Sequence, residues 1–298
     1  LHAWTATRLR GLLFGIFSTA LVQSSTAITV ATIGFVNAGL LPLGQSLWVF
    51  FGANVGTTFT GWLVAVIGFK LKIEAAALPL IGIGVLLRLS GQETRRGAVG
   101  NAIGGFGVLF LGIGFLQQAF ASGGSGLDLS SLSGHGVWSV LAFVLAGIVL
   151  TVVMQASAAV LAIVLTLAEA GVLPMNEAAA AVIGANIGTT ATALLAAIGG
   201  TPNARRAAGA HAMFNLLTGV VALLMLPVLL TLIGMLREAL ELGAQPAVSL
   251  ALFHTLFNLL GVLLMWPLTN WLADFLPSRS PISTPRAIRS TGVSSQCL

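Results

Sequence analysis

Gly52-Ala53-Asn54-Val55-Gly56-Thr57-Thr58 returns as Gly184-Ala185-Asn186-Ile187-Gly188-Thr189-Thr190, 132 residues further along the chain. Upstream of each copy, at the same distance, stands a glutamine-serine motif: Gln23-Ser24-Ser25-Thr26-Ala27 first, Gln155-Ala156-Ser157-Ala158-Ala159 second. Leu41-Pro42 and Leu173-Pro174 keep that register, and an ungapped alignment of 19–68 with 151–200 gives 18 identities in 50 positions. The chain therefore contains a duplicated unit. The shared residues are small, polar and uncharged, which in a hydrophobic chain points to a paired substrate site inside a membrane.

The surrounding composition fits a membrane. Of 298 residues, 57% are hydrophobic and 7% charged, whereas soluble domains carry roughly a quarter charged residues. Residues 11–69 hold no Asp, Glu, Lys or Arg, and 137–204 hold only Glu169 and Glu177. A spanning helix needs about 20 apolar residues, and several such runs are present. The expected fold is all-α, polytopic, with re-entrant helical hairpins and discontinuous transmembrane helices. A β-barrel would show short alternating segments, and these are absent. The net charge of +5 comes from arginines set singly or in pairs between apolar runs, a pattern of cytoplasmic loops and not of nucleic-acid binding. Cys297 is the only cysteine, so no intramolecular disulfide forms. No signal-peptide pattern precedes the first apolar run, and the expectation is a start after a removed N-terminal segment.

The expected organisation is a first repeat over 1–120, a Gly/Ser-rich linker over 121–136, a second repeat over 137–273 and a polar tail over 274–298. In the first repeat, 11–40 is interrupted at 23–25 and 46–69 at 54–58, and helices follow near 76–89 and 97–119. In the second, 137–170 is interrupted at 155–157 and 176–200 at 186–190, with helices near 206–233 and 247–273. Each interrupted run reads either as a hairpin or as one long span. Hairpins give the first repeat an odd number of crossings and so an inverted second repeat. They also place Arg8, Arg10, Arg88, Arg95, Arg96, Arg205, Arg206, Arg279, Arg286 and Arg289 on one side, against Lys70, Lys72 and Arg237, a split of 10 to 3. Single spans give 9 to 4. The positive-inside rule favours hairpins, with both termini in the cytoplasm.

The chemistry follows from residue type. A half-helix starting after Gln23-Ser24-Ser25, capped by Ser25 or Thr26, aims free N–H groups at the hairpin tip, and its equivalent starts near Ser157. Paired helix N-termini make an anion site, so Gln23, Ser24, Ser25, Thr26, Gln155 and Ser157 are candidate anion ligands. Broken helices at Gly52 and Gly184 would expose carbonyls, which with Asn54, Thr57, Thr58, Asn186, Thr189 and Thr190 offer hard oxygens to a small cation. No Lys or Arg lies in either motif region, so a desolvated anion lacks a basic partner and a co-bound cation would compensate it. Close packing of small residues is the competing reading, since Gly52-x-x-x-Gly56 fits the small-xxx-small pattern. His211 with Asn215, and His254 with Asn258, share helix faces at i, i+4 and are expected as interhelical hydrogen-bond partners behind the site, with direct ligand contact as the alternative. No Walker lysine, His-Glu-x-x-His or Gly-x-Ser-x-Gly is present, so no enzyme is expected.

With these motifs the chain resembles the type II sodium-dependent phosphate cotransporter family in its bacterial form, over about residues 10–272. That family carries two inverted repeats, each with a Gln-Ser-Ser and a Gly-Ala-Asn-x-Gly-Thr-Thr-like motif. Gln155-Ala156-Ser157 departs from it at Ala156. His254-x-x-Phe257-Asn258, Gly261 and Trp266-Pro267 resemble the helix that closes its second repeat. The resemblance implies inorganic phosphate as substrate, sodium as co-substrate, alternating access, and a bacterial inner membrane. It implies no organic cofactor. Many bacterial relatives add an apolar segment before the first motif and a regulatory domain resembling PhoU after the last span, so a truncated or short form is expected. Alternatives are a sodium-independent channel, a transporter of another anion, and a non-transporting scaffold or sensor. A homo-oligomer is left open by the sequence.

Overall fold

The computed structural model describes residues 2–68, 74–121 and 134–275. Lys70, Lys72, Ser125, Arg279, Arg286, Arg289 and Cys297, and most of the expected linker and tail, lie outside the described residues. Every described regular element is helical: α1 (His2–Thr5), α2 (Arg8–Val22), α3 (Ser25–Asn37), α4 (Leu43–Trp62) running into a π-helix (Leu63–Gly68), α5 (Glu74–Leu89) and α6 (Arg95–Ala121). After the linker follow α7 (Val137–Met154), α8 (Ser157–Glu169), α9 (Met175–Ala196), α10 (Pro202–Leu224), α11 (Leu226–Ala239) and α12 (Pro246–Phe275). Among the described residues, six helices are long and apolar enough to cross a membrane: α4, α6, α7, α9, α10 and α12. The chain is a multi-pass, all-α membrane protein. Its outer face carries Phe17, Leu21, Trp138, Leu145 and Val153, large exposed apolar side chains that suit contact with lipid.

The breaks after α2 and α7 fall where the glutamine-serine motifs stand. Gln23 (φ 58°) and Gln155 (φ 53°) adopt the left-handed conformation that ends a helix. Direction follows from the contacts of α4. A Cβ on Gly11 would meet Trp48, one on Gly15 would meet Ala53, and one on Gly56 would meet Thr19, so α2 and α4 run parallel. The connection over 38–42 is too short to span a helix length. It turns through Gly39 (φ 71°) and ends at Pro42, which precedes α4. Hence α3 must run back beside α2, and the chain reverses at Gln23. Val144 with Gly184 and Thr151 with Gly188 make α7 and α9 parallel in the same way, and Gly171 (φ 70°) and Pro174 repeat the turn.

Two expectations are corrected. The second runs are not broken at 54–58 or 186–190: α4 and α9 pass through both motifs without interruption. The threonine hydroxyls donate back into their own helix, Thr57 to Ala53 (2.9 Å), Thr58 to Val55 (2.7 Å), Thr189 to Asn186 (2.6 Å) and Thr190 to Ile187 (2.7 Å). Such back-bonding satisfies a hydroxyl without breaking the ladder. The glycines are points of helix approach: a Cβ at Gly52 would overlap the Leu12 carbonyl, and one at Gly184 the Val144 carbonyl. The close-packing reading therefore accounts for these glycines, and their carbonyls stay inside helical structure. The run near 206–233 is likewise two helices, because Pro227 falls in the first turn of α11, where the missing N–H costs least.

Candidate functional site

The helices around the motifs pack as two matching sets. In one, α3 lies against α9 and α10; in the other, α8 lies against α4 and α12. The ends are tied equivalently. Asn37, at the end of α3, accepts from the Thr201 N–H ahead of α10 (2.8 Å). Glu169, 132 residues later and at the end of α8, accepts from the Ala247 N–H in α12 (3.0 Å). Thus α3 of the first unit meets second-unit helices and α8 of the second unit meets α4 of the first, and the two tips do not chiefly face each other.

The first set encloses a narrow polar gap between α3, α9 and α10, lined by Ser25, Thr26, Thr29, Thr189, Ala193 and His211. Its empty space is about 200 Å³ and admits no water-sized sphere, so the gap is closed in this conformation. It lies at the α3 N-terminus. Ser24 is the cap residue there, accepting from the Ala27 N–H at 3.2 Å, in place of the expected Ser25 or Thr26. Ser25 opens the helix and is buried. In the second unit Ala156 holds the cap position with no side-chain bond, so Ser157 opens α8 without a capping hydroxyl behind it.

The glutamines do other work. Gln23 bonds through its amide N–H to the Ala20 carbonyl, and its Oε1 accepts from Thr60 on α4 (2.9 Å). Gln155 bonds to the Val152 carbonyl, and its Oε1 accepts from Thr192 on α9 (2.6 Å). Both amides therefore brace the reversal against the following helix. Thr60 and Thr192, absent from the expected set, carry a signal in the sequence: they are identical residues at the 132-residue offset. Thr29 was also missed. It sits one turn after Ser25 on the same face of α3.

Behind the gap runs a buried chain. Asn186 Nδ2 donates to Asn215 Oδ1 at 2.8 Å, and Asn215 Nδ2 lies 3.0 Å from His211 Nε2 and 3.2 Å from the His211 carbonyl. The second set has the same parts in another state. Asn258 Nδ2 donates to the His254 carbonyl at 2.8 Å. Asn54 Nδ2 and Asn258 Oδ1, the equivalent donor and acceptor, are both buried without a hydrogen-bond partner. The lining differs too. Thr26 and Thr29 are replaced by Ala158 and Leu161 at the same offset, and Ala193 corresponds to Gly61. A Cβ on Gly61 would lie 3.3 Å from Leu161 Cδ2, 3.8 Å from Ala251 Cβ and 3.8 Å from His254 Nδ1. Of the four hydroxyl positions in the first gap, Ser25 and Thr189 keep a hydroxyl at the same offset, as Ser157 and Thr57, and Thr26 and Thr29 do not.

No group of three or more His, Cys, Asp or Glu that could hold a metal occurs among the described residues. For a small cation the fitting donors are side-chain oxygens. Each motif threonine spends its proton on a backbone carbonyl, which leaves the oxygen lone pairs of Thr57, Thr58, Thr189 and Thr190 available.

Comparison with known proteins follows the same stretch of chain. The sequence profile of the Na+/Pi-cotransporter family matches residues 1–118 and 129–262. The uncharacterized protein YqeW of Bacillus subtilis is 35% identical over 265 residues, covering 88% of this chain and 81% of that protein. YjbB of Escherichia coli K12, provisionally named an inorganic phosphate export protein, is 31% identical over 266 residues. That match covers 88% of this chain and 46% of YjbB, so the chain spans about half the length of that relative. Sodium-dependent phosphate transport protein 2A of Oryctolagus cuniculus is 38% identical over 64 residues, which is 22% of this chain and 10% of that protein. No solved structure matches the chain.

Proposed function

Because this chain belongs to the Na+/Pi-cotransporter family, we propose that it carries inorganic phosphate across a bacterial cell membrane in symport with sodium. The observation that carries the reading is the hydroxyl-lined gap at the α3 N-terminus, where Ser25, Thr26 and Thr29 of the first unit meet Thr189 of the second. A helix N-terminus supplies free N–H groups and about half a positive charge, enough to attract an oxyanion but not to neutralise a dianion. No Lys or Arg stands in 11–69 or 137–204. Sodium held by the oxygens of Asn54, Thr57, Thr58, Asn186, Thr189 and Thr190 would complete the balance, and each ligand would then strengthen binding of the other. The names of the relatives include both sodium-dependent phosphate transport and phosphate export. A coupled carrier runs in whichever direction the combined gradients dictate.

Alternating access between two inverted units is the proposed mechanism. Asn37 tied to Thr201 brings the ends of α3 and α9 to one level, and Glu169 tied to Ala247 brings the end of α8 to the start of α12. With Arg8 reaching the Trp266 carbonyl at the far end of α12, these ties support opposite directions for α2 and α7. The closed Asn186–Asn215 pair beside an open Asn54/Asn258 pair supports two units held in different states.

Radiolabelled phosphate uptake into proteoliposomes tests the coupling. An inward sodium gradient should raise initial uptake several-fold over a potassium gradient, and equal rates would leave only the sodium-independent reading. Topology has its own probe in Cys297, the sole cysteine. The arginine bias predicts that an impermeant thiol reagent modifies Cys297 only after permeabilisation, and modifies Ser125→Cys (in a variant with Cys297→Ser) in intact cells. Protection of Ser125→Cys in intact cells would discard the inverted arrangement.

A further inference from the structure

We propose that the Nδ1–H of His211 donates directly to the transported anion in the gap between α3, α9 and α10. The inference rests on the reading that the anion sits at the α3 N-terminus, and it adds a ligand from the second unit. His211 is 3% exposed and lines the gap with Ser25, Thr26, Thr29 and Thr189. Its tautomer follows from its neighbours. Asn215 Nδ2 faces the His211 carbonyl at 3.2 Å, and a carbonyl can only accept, so the amide nitrogen and not the oxygen is on that side. Asn215 Oδ1 is taken by the Asn186 amide at 2.8 Å, which fixes the same orientation. An NH2 group therefore also faces Nε2 at 3.0 Å, and Nε2 must be the bare nitrogen.

The ring proton then resides on Nδ1. That atom is buried without a hydrogen-bond partner, and a buried unmatched donor is unfavourable until an acceptor arrives. An oxyanion oxygen is such an acceptor. A sodium ion is not, because the N–H edge carries partial positive charge. Asn186 belongs to the duplicated motif, so the chain Asn186–Asn215–His211 connects that motif to the anion without a charged side chain. The equivalent His254 also has a partnerless Nδ1. On its side Leu161 and Ala251 lie beside Gly61, and the hydroxyls of Thr26 and Thr29 have no counterpart, since Ala158 and Leu161 stand at the same offset. The fuller set of hydroxyl donors thus accompanies His211.

Two substitutions separate a ligand from a structural histidine. His211→Asn places an amide N–H close to the position of Nδ1 but loses the reach to Asn215. His211→Gln reaches toward Asn215 but leaves the Nδ1 position empty. Phosphate uptake by the full chain in proteoliposomes is measured against phosphate concentration at saturating sodium, with Ser25→Ala in parallel. The expected KM for phosphate rises at least about tenfold in His211→Gln, the loss of one hydrogen bond to an anion, and less than about threefold in His211→Asn. Equal KM values in the two variants, or rescue by Gln and not by Asn, overturn the proposal. A normal Ser25→Ala with the Asn/Gln split intact would remove the α3 tip reading and keep His211 as ligand. A weakened Ser25→Ala without the split would remove His211 alone.

Discussion

Thr29→Leu is expected to lower sodium-driven phosphate uptake roughly a hundredfold, the scale of losing a hydrogen bond to an anion in a site that is also filled, while the protein still folds. The second unit supplies the reason to expect folding. Leu161 stands at the equivalent position of α8, beside Gly61 on α4 where the first set has Ala193, so a leucine at position 29 must shift by only a few tenths of an ångström to clear one added Cβ. In the first gap the same side chain would remove a buried hydroxyl and occupy the space shared by Ser25, Thr189 and His211. Initial uptake rates at fixed sodium, normalised to reconstituted protein, measure the effect. Uptake close to wild type in Thr29→Leu would place the anion elsewhere. The converse change, Leu161→Thr, adds a hydroxyl beside Gly61 and should alter uptake less than about threefold, within the range of a modest packing change.

The reversals at Gln23 and Gln155 were legible in the sequence because a polar motif interrupts each long apolar run, and the arginine bias favours a hairpin there over one long span. The residues that brace each reversal, Thr60 and Thr192, stand at duplicated positions but are absent from the expected set. The motifs around Asn54 and Asn186 were misread as breaks. Gly, Ser, Thr and Asn serve both broken helices and tight helix contacts, and composition cannot separate the two. What separates them is where each hydroxyl goes, and Thr57 and Thr189 return to their own backbone. The cross-unit pairing was not legible at all. Local sequence says that Ser25 begins a helix, but not that the helix lies against Thr189, 164 residues away. The asymmetry between the gaps was present in plain view, as Thr29 against Leu161. It acquired meaning only once Gly61, Leu161 and His254 were found together.

The glycines of the duplicated motif yield the second large effect, on folding and not on substrate binding. Gly184→Leu should destabilise the protein by about 3 kcal/mol or more, at or beyond the upper end of ordinary overpacking, because the obstacle is backbone. A Cβ at Gly184 would overlap the Val144 carbonyl and lie 2.8 Å from the Val144 carbonyl carbon, with Val144 Cα at 3.0 Å. No side-chain rotamer relieves a clash with main chain, so α7 would have to separate from α9 along the face where Gly147 also approaches Ala185. Gly52→Leu meets Leu12 of α2 in the same way, with Gly15 Cα at 3.0 Å. The expected readouts are a lower midpoint in thermal unfolding in detergent and a smaller monodisperse fraction on size exclusion, for both variants and without any ligand. Gly34→Ala and Gly209→Ala are the matched controls. Each glycine lies in a helix with nothing within 4 Å of its added Cβ, so each should be neutral or stabilising by up to about 1 kcal/mol from helix propensity. If Gly184→Leu and Gly52→Leu keep the wild-type unfolding midpoint, α4 and α9 do not approach α2 and α7 this closely, and their glycines must be reconsidered as ligand-facing backbone.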